Sequence, residues 1–164
     1  MSGEPKTVGW REWVAFPGLG LPWVKAKMDT GARTSALHAF RLEPFDRGGR
    51  EWVRFAIHPL QRRTDLVVWR ETEVVDVRSV SDSGGHRERR YVIRTELALA
   101  GGRWPIECTL TNRDTMLFRV LLGRTALAGH ILVDPENSYR TGRPRRPSRA
   151  YTEHAKTTTE GERS

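Results

Sequence analysis

Two runs of strict two-residue alternation, joined by a glycine pair, constrain the fold of this chain more than any other feature. Tyr91, Ile93, Thr95, Leu97 and Leu99 fall on one side of an extended segment. After Gly101-Gly102, Trp104, Ile106, Cys108 and Leu110 repeat the pattern. Side chains of a strand point alternately to opposite faces, so each run has one apolar face, and the glycines supply the turn of an antiparallel hairpin.

The same period recurs along the chain. Val8 to Phe16 sets two tryptophans and a valine among charges, as an edge strand or strand pair would. Val24, Ala26 and Met28 alternate with Lys25 and Lys27. Ser35 to Phe45 reads as a further strand, stopped by the turn signal Asp46-Arg47-Gly48-Gly49, and Glu51 to Ile57 as its successor, ended by His58-Pro59. Residues 60–65 read as a loop, and Leu66 to Val80 as one long strand or a pair. Ser81 to Gly85 carries a hairpin-tip signal. Phe118 to Leu122 is continuously apolar, as a strand buried on both faces would be. Thr125 to Ala128 predicts one short helix stopped by Gly129, and Ile131 to Val133 a last strand. Strands and closely spaced turns predict an all-β closed sheet or sandwich. The expected organisation is an unstructured 1–7, one domain over 8–138, and a basic, disordered tail over 139–164.

Composition narrows the setting. No run approaches the roughly 20 apolar residues that a membrane helix needs, and the first residues lack the apolar stretch of a signal peptide. The one cysteine, Cys108, excludes an internal disulfide framework and predicts a reducing, cytoplasmic compartment. The net charge of +8 attracts polyanions, whether nucleic acid, acidic peptide or membrane surface. The five histidines, His38, His58, His86, His130 and His154, show no paired metal spacing and no His-Glu-x-x-His, so neither metal nor cofactor is expected.

Candidate chemistry lies at Asp29-Thr30-Gly31, directly after the alternating strand. Alone, the tripeptide is also compatible with an ordinary turn capped by an Asp side chain. The longer stretch Asp29-Thr30-Gly31-Ala32-Arg33-Thr34-Ser35-Ala36-Leu37 resembles the active-site segment of the retropepsins. Val120-Leu121-Leu122-Gly123-Arg124 and the following helix resemble their aliphatic Gly-Arg segment. Gly9 to Val14, Lys27 to Ala39, Thr109 to Arg113 and Leu121 to Arg124 more closely resemble the bacterial RimB-type retropepsin-like family, once labelled ATP-dependent zinc proteases. The resemblance implies a homodimeric aspartic peptidase that needs no metal. It also implies a link to RimK-type glutamate ligases and substrates with glutamate-rich tails.

In such an enzyme Asp29 of each subunit would form the catalytic dyad. Thr30 would hydrogen-bond across the dimer, and Gly31 would let the backbone turn tightly beside substrate. Ala32, Arg33, Arg124 and the glycines Gly84 and Gly85 are the expected substrate-binding residues. The hairpin tip Ser81 to His86 is the candidate flap, with the loop 60–65 as a competing lid. Arg33 stands where the viral enzymes commonly carry an acid that pairs with the downstream arginine. Arg33 and Arg124 together are therefore expected to receive substrate carboxylates, unless Asp134 or Glu107 neutralises one of them. Two other readings stay open: a catalytically idle peptide-binding module, and a basic nucleic-acid-binding barrel that stacks bases on its tryptophans. Neither a membrane nor nucleic acid is the expected partner, because no RNA-binding signature appears and tryptophans in strands more often belong to the core.

Overall fold

The computed structural model describes residues 3–81, 84–112 and 117–151. Its twelve strands are β1 (Lys6–Gly9), β2 (Arg11–Phe16), β3 (Leu21–Asp29), β4 (Ser35–His38), β5 (Arg41–Arg47), β6 (Arg50–Ile57), β7 (Val68–Glu73), β8 (Asp76–Ser81), β9 (Arg87–Leu99), β10 (Gly102–Thr111), β11 (Val120–Gly123) and β12 (Ile131–Asp134). A short helix, α1 (Arg124–Leu127), follows β11, and a single 3-10 turn, Pro17–Leu19, links β2 to β3.

The expected hairpin forms, with Leu99 opposite Gly102 and Cys108 opposite Ile93. Ile93, Leu97, Leu99, Ile106, Cys108 and Leu110 are buried and join one core with Val14, Phe16, Val24, Leu37 and Leu122. Full burial of each large aliphatic contributes about 1.5–3 kcal/mol before conformational entropy is charged against it. The sheet runs β10-β4-β11-β3-β2-β9, and the β9–β10 hairpin joins its ends. These six strands make a closed all-β barrel, which removes the free sheet edges that would invite aggregation. β8 extends β9 outward.

Two expected strands divide between sheets. Ser35 to Phe45 breaks into β4, in the barrel, and β5, in a separate three-stranded sheet with β6 and β7. Phe40 lies at the break and stacks on His58, ring centroids 4.1 Å apart. Leu66 to Val80 likewise splits into β7 of the outer sheet and β8 of the barrel side. Arg70 ties the outer sheet to the barrel: its Nε donates to the Leu19 carbonyl at 2.6 Å and its Nη2 to that of Gly20 at 3.2 Å. Period alone marks these segments as extended; it does not say which sheet receives them.

The chain ends hold more structure than the sequence suggests. Lys6 and Thr7 belong to β1, which pairs in parallel with β12. Residues 139–151 pack on the barrel, where Tyr151 is 1% exposed and its hydroxyl donates to the Trp23 carbonyl. The fastening residue is Glu12, wholly buried. Its Oε2 accepts the Gly9 N–H at 2.7 Å and the Arg140 N–H at 2.8 Å. Its Oε1 accepts the Thr141 N–H at 3.2 Å and the Thr141 hydroxyl at 2.8 Å. A buried carboxylate needs such donors to offset its lost hydration. The expected disordered tail therefore begins too early at 139, and its remainder, residues 152–164, lies outside the described residues.

Candidate active site

β3 leads to the candidate catalytic turn. Val24, Ala26 and Met28 face the core, which fixes the strand's direction, and Asp29 at its end is only partly buried. The chain then doubles back: the Ala32 N–H donates to the Asp29 carbonyl at 3.1 Å and lies 3.2 Å from the Asp29 Oδ1. Thr30 and Gly31 are exposed at the apex. Gly31 does not use a left-handed conformation. A Cβ there would lie 3.4 Å from Asp29 Oδ1, so the missing side chain leaves room beside the carboxylate.

The turn is braced by β11 and α1. Gly123 pairs with Asp29 across the parallel β3–β11 ladder. The Arg124 N–H donates to the Ala32 carbonyl at 2.8 Å, and the Thr125 N–H and hydroxyl reach the Arg33 carbonyl at 3.3 and 2.8 Å. Arg124 Nη1 donates to the Gly31 carbonyl at 3.2 Å. Below, the Gly123 N–H donates to the buried Ser35 hydroxyl at 3.0 Å, while the Thr109 hydroxyl donates to the Ser35 carbonyl at 3.1 Å. Three successive carbonyls, 31 to 33, are thus held from one segment far away in sequence. Such external bracing holds a side chain in place through a reaction.

Gly123 is required by proximity. A Cβ on it would stand 2.6, 2.7 and 2.9 Å from backbone atoms of Thr34. Gly123→Ala must push the candidate catalytic turn away from β11. It is expected to cost about 1–3 kcal/mol in stability and at least about tenfold in turnover through misplacement of Asp29. Urea melts and single-turnover rates check both; wild-type values would show that the contact is soft.

Arg33 and Arg124 play different parts. The Arg124 guanidinium folds onto the Asp29–Ala32 turn, whereas Arg33 is exposed, and no ion pair involves either side chain among the described residues. The two acids that could have neutralised them are engaged elsewhere. Asp134 pairs with Arg140 at 2.8 Å, and Glu107 with Arg78 at 2.9 Å. The Asp134 carboxyl is held below its usual range, first by the Asn137 amide and the Glu136 N–H, then by Arg140. A cavity of about 450 Å³ opens beside the turn, lined by Arg33, Thr34, Arg78, Glu107 and Thr125 among others. Gly84 and Gly85 lie at the tip of the β8–β9 hairpin, exposed, with Gly85 at φ +81°. Residues 82 and 83 of the candidate flap, and Arg113 of the Thr109 to Arg113 motif, lie outside the described residues. Among the described residues no group of three His, Cys, Asp or Glu is placed to hold a metal ion.

A family profile described as RimB-like, retropepsin-like aspartic endopeptidase RimB, matches residues 7–144. The chain belongs to the RimB-like family. Within it, this RimB-like chain is 52% identical over 135 residues to a probable alpha-L-glutamate ligase of Parasynechococcus marenigrum. It is 46% identical over 142 residues to a protein of the same name in Shewanella pealeana. The matches cover 82% and 87% of this chain but only 29% and 31% of those relatives. The chain therefore spans about a third of the length of the curated relatives it matches. A solved structure of a Legionella pneumophila protein of unknown function superposes with a TM-score of 0.69 at 28% identity, covering 83% of this chain and 98% of that one. No helix among the described residues is long and apolar enough to cross a membrane.

The sequence offered signals for some residues that its reading passed over. Glu12 shares the inward parity of Val14 and Phe16, which marks it as a buried acid in need of donors. Nothing local marks Ser35 and Thr125 as braces, because their partners are 88 and 92 residues away.

Proposed function

We propose that this RimB-like chain is an aspartic peptidase whose active form is a homodimer, with Asp29 of each subunit facing its mate. The observation that carries the reading is Asp29 itself: a partly exposed carboxylate on a turn whose carbonyls are held by β11 and α1. Two carboxylates about 3 Å apart cannot both ionise, so the pair shares one proton. The ionised member takes a proton from water while the other polarises the scissile carbonyl. The proton then passes to the departing amine. Thr30 at the apex holds the two turns in register, and the β8–β9 tip closes over substrate and excludes water.

The substrate reading favours acidic peptides, including glutamate-rich tails. It rests on the exposed Arg33, which lacks an acid partner among the described residues, on the adjoining cavity and on the +8 charge. The ligase names of the relatives support a functional link to glutamate ligation. Incubation with oligoglutamyl and neutral peptides across about pH 4–8, read by mass spectrometry, tests the activity. Arg33→Ala is expected to raise KM for the acidic peptide about 5–20-fold and to leave the neutral one unchanged. An unchanged preference would remove Arg33 from recognition.

The same ligase names favour one second reading, a non-catalytic module that binds peptide beside a ligase. It predicts saturable peptide binding with no cleavage at any pH.

A further inference from the structure

A second charged site lies on the outer face of β2 and β3. The alternation that turns Glu12, Val14 and Phe16 inward turns Arg11 and Trp13 outward, where Arg11 sits opposite Lys27 and Trp13 opposite Lys25. The loop at 60–63 and the chain at 139–148 close over this face. They leave a cavity of about 360 Å³, lined by Arg11, Trp13, Lys25, Arg62 and Arg63 among others, with no carboxylate among its lining residues. Of these cations, Arg63 is answered by Asp65 at 3.0 Å.

Arg11, Lys25 and Arg62 meet no carboxylate among the described residues, unlike several arginines elsewhere. On the outer sheet Arg47, Arg50 and Arg54 each meet a glutamate, and on the barrel Arg78 and Arg103 do the same. Arg11 and Lys25 also pack on aromatic rings, as Arg47 and Arg54 do on the outer sheet. Arg11 lies 4.6 Å from the Trp10 ring centre and 5.0 Å from that of Tyr139. Lys25 lies 5.3 Å from Trp13, and Arg143 lies 4.2 Å from Tyr139. Arg11 Nε is buried without a hydrogen-bond partner among the described residues. A ring steadies a cation but cancels none of its charge. The face therefore keeps a positive field, interleaved with flat apolar surfaces.

We propose that this face is a docking site for single-stranded nucleic acid. Lys25 would leave the Trp13 ring to meet a backbone phosphate beside Arg62, and the ring face so freed would form a stacking wall for a base. Cations that track a backbone beside rings that receive bases are what sequence-tolerant single-strand binding requires. The cavity lies at the low end of the roughly 300–1,000 Å³ usual for small-ligand pockets, which suits one nucleotide at a time. Lys25 sits about 13 Å along β3 from Asp29, at the rise of an extended strand, so the site is separate from the catalytic turn.

The test is fluorescence anisotropy of labelled 12-nucleotide oligouridylate and oligothymidylate with the full chain, from 50 to 200 mM KCl. The expected result is salt-sensitive binding of either strand, with quenching of tryptophan emission. Lys25→Glu with Arg62→Glu should weaken binding at least about tenfold and make the salt slope shallower by about 1.4, two phosphate contacts at about 0.7 each. Lys25→Gln with Arg62→Gln should weaken it in the same direction and guards against misfolding of the acidic pair. Trp13→Leu should weaken binding about tenfold through lost stacking. Arg94→Glu with Arg103→Glu, matched in charge but placed on the hairpin, should stay within about twofold of wild type. The proposal is overturned by any of three results: no binding at 50 mM salt, equal loss in the hairpin pair, or equal displacement by a twelve-residue oligoglutamate.

Discussion

Asp29→Asn is expected to abolish peptide cleavage, by on the order of 10³-fold or more, while leaving the melting temperature near wild type. The side chain is partly exposed, and it accepts the Ala32 N–H at 3.2 Å, a bond that an amide oxygen can still accept. The loss should therefore be chemical rather than structural. Subunit mixing sharpens the test. If each active site draws one Asp29 from each of two subunits, an equimolar mixture of wild type and variant, allowed to exchange, retains about a quarter of the activity. If each chain works alone, about half remains. A mixture at half would overturn the shared dyad even if the variant itself were inactive. Sedimentation at assay concentration establishes whether the dimer is populated.

Glu12→Ala is expected to have the largest effect on stability, about 3–5 kcal/mol. The carboxylate collects Gly9, Arg140 and Thr141 backbone N–H groups and the Thr141 hydroxyl at a wholly buried position. Truncation leaves the buried Gly9 N–H and the part-buried donors of Arg140 and Thr141 without their acceptor, together with a cavity. A loss of that size lowers Tm by about 6–20 °C for a domain of this length. The strand β1 and the chain after β12 lose the group that joins them, so protease cleavage after 139 should accelerate in step. Glu12→Gln keeps one acceptor oxygen but turns an amide N–H₂ toward the remaining donors. It should fall between wild type and Glu12→Ala. A Tm shift of less than about 3 °C for the alanine variant would mean that the segment at 140–141 holds its place without Glu12.

Local chemistry carried much of the fold. The hairpin of β9 and β10 was legible because alternation and a glycine pair act over neighbouring residues. The same holds for α1, which begins where Gly123 ends β11 and lies just before Gly129. The candidate turn was legible because Asp29, Thr30 and Gly31 are adjacent in the chain. The division of residues 35–45 between barrel and outer sheet was not. Both halves are extended with apolar positions, and only the partners available in space separate β4 from β5. Residues 139–151 look like a solvated tail because arginine and proline dominate them, yet Glu12 and Trp23 supply the hydrogen bonds and Tyr151 the apolar anchor.

The amino-acid order alone determined that this chain is built of strands, where its catalytic candidate stands, and that its surface is strongly basic. Those properties follow from the period of side chains along an extended backbone, from one tripeptide in context, and from a sum of charges. Tertiary structure decided the rest. It brought Gly123 within van der Waals range of Thr34, and it turned Arg124 onto the candidate turn while leaving Arg33 exposed. It gathered Arg11, Lys25 and Arg62 around one cavity. Contacts between residues far apart in sequence form only when the barrel closes, and no local pattern of residues encodes which partner each strand will meet.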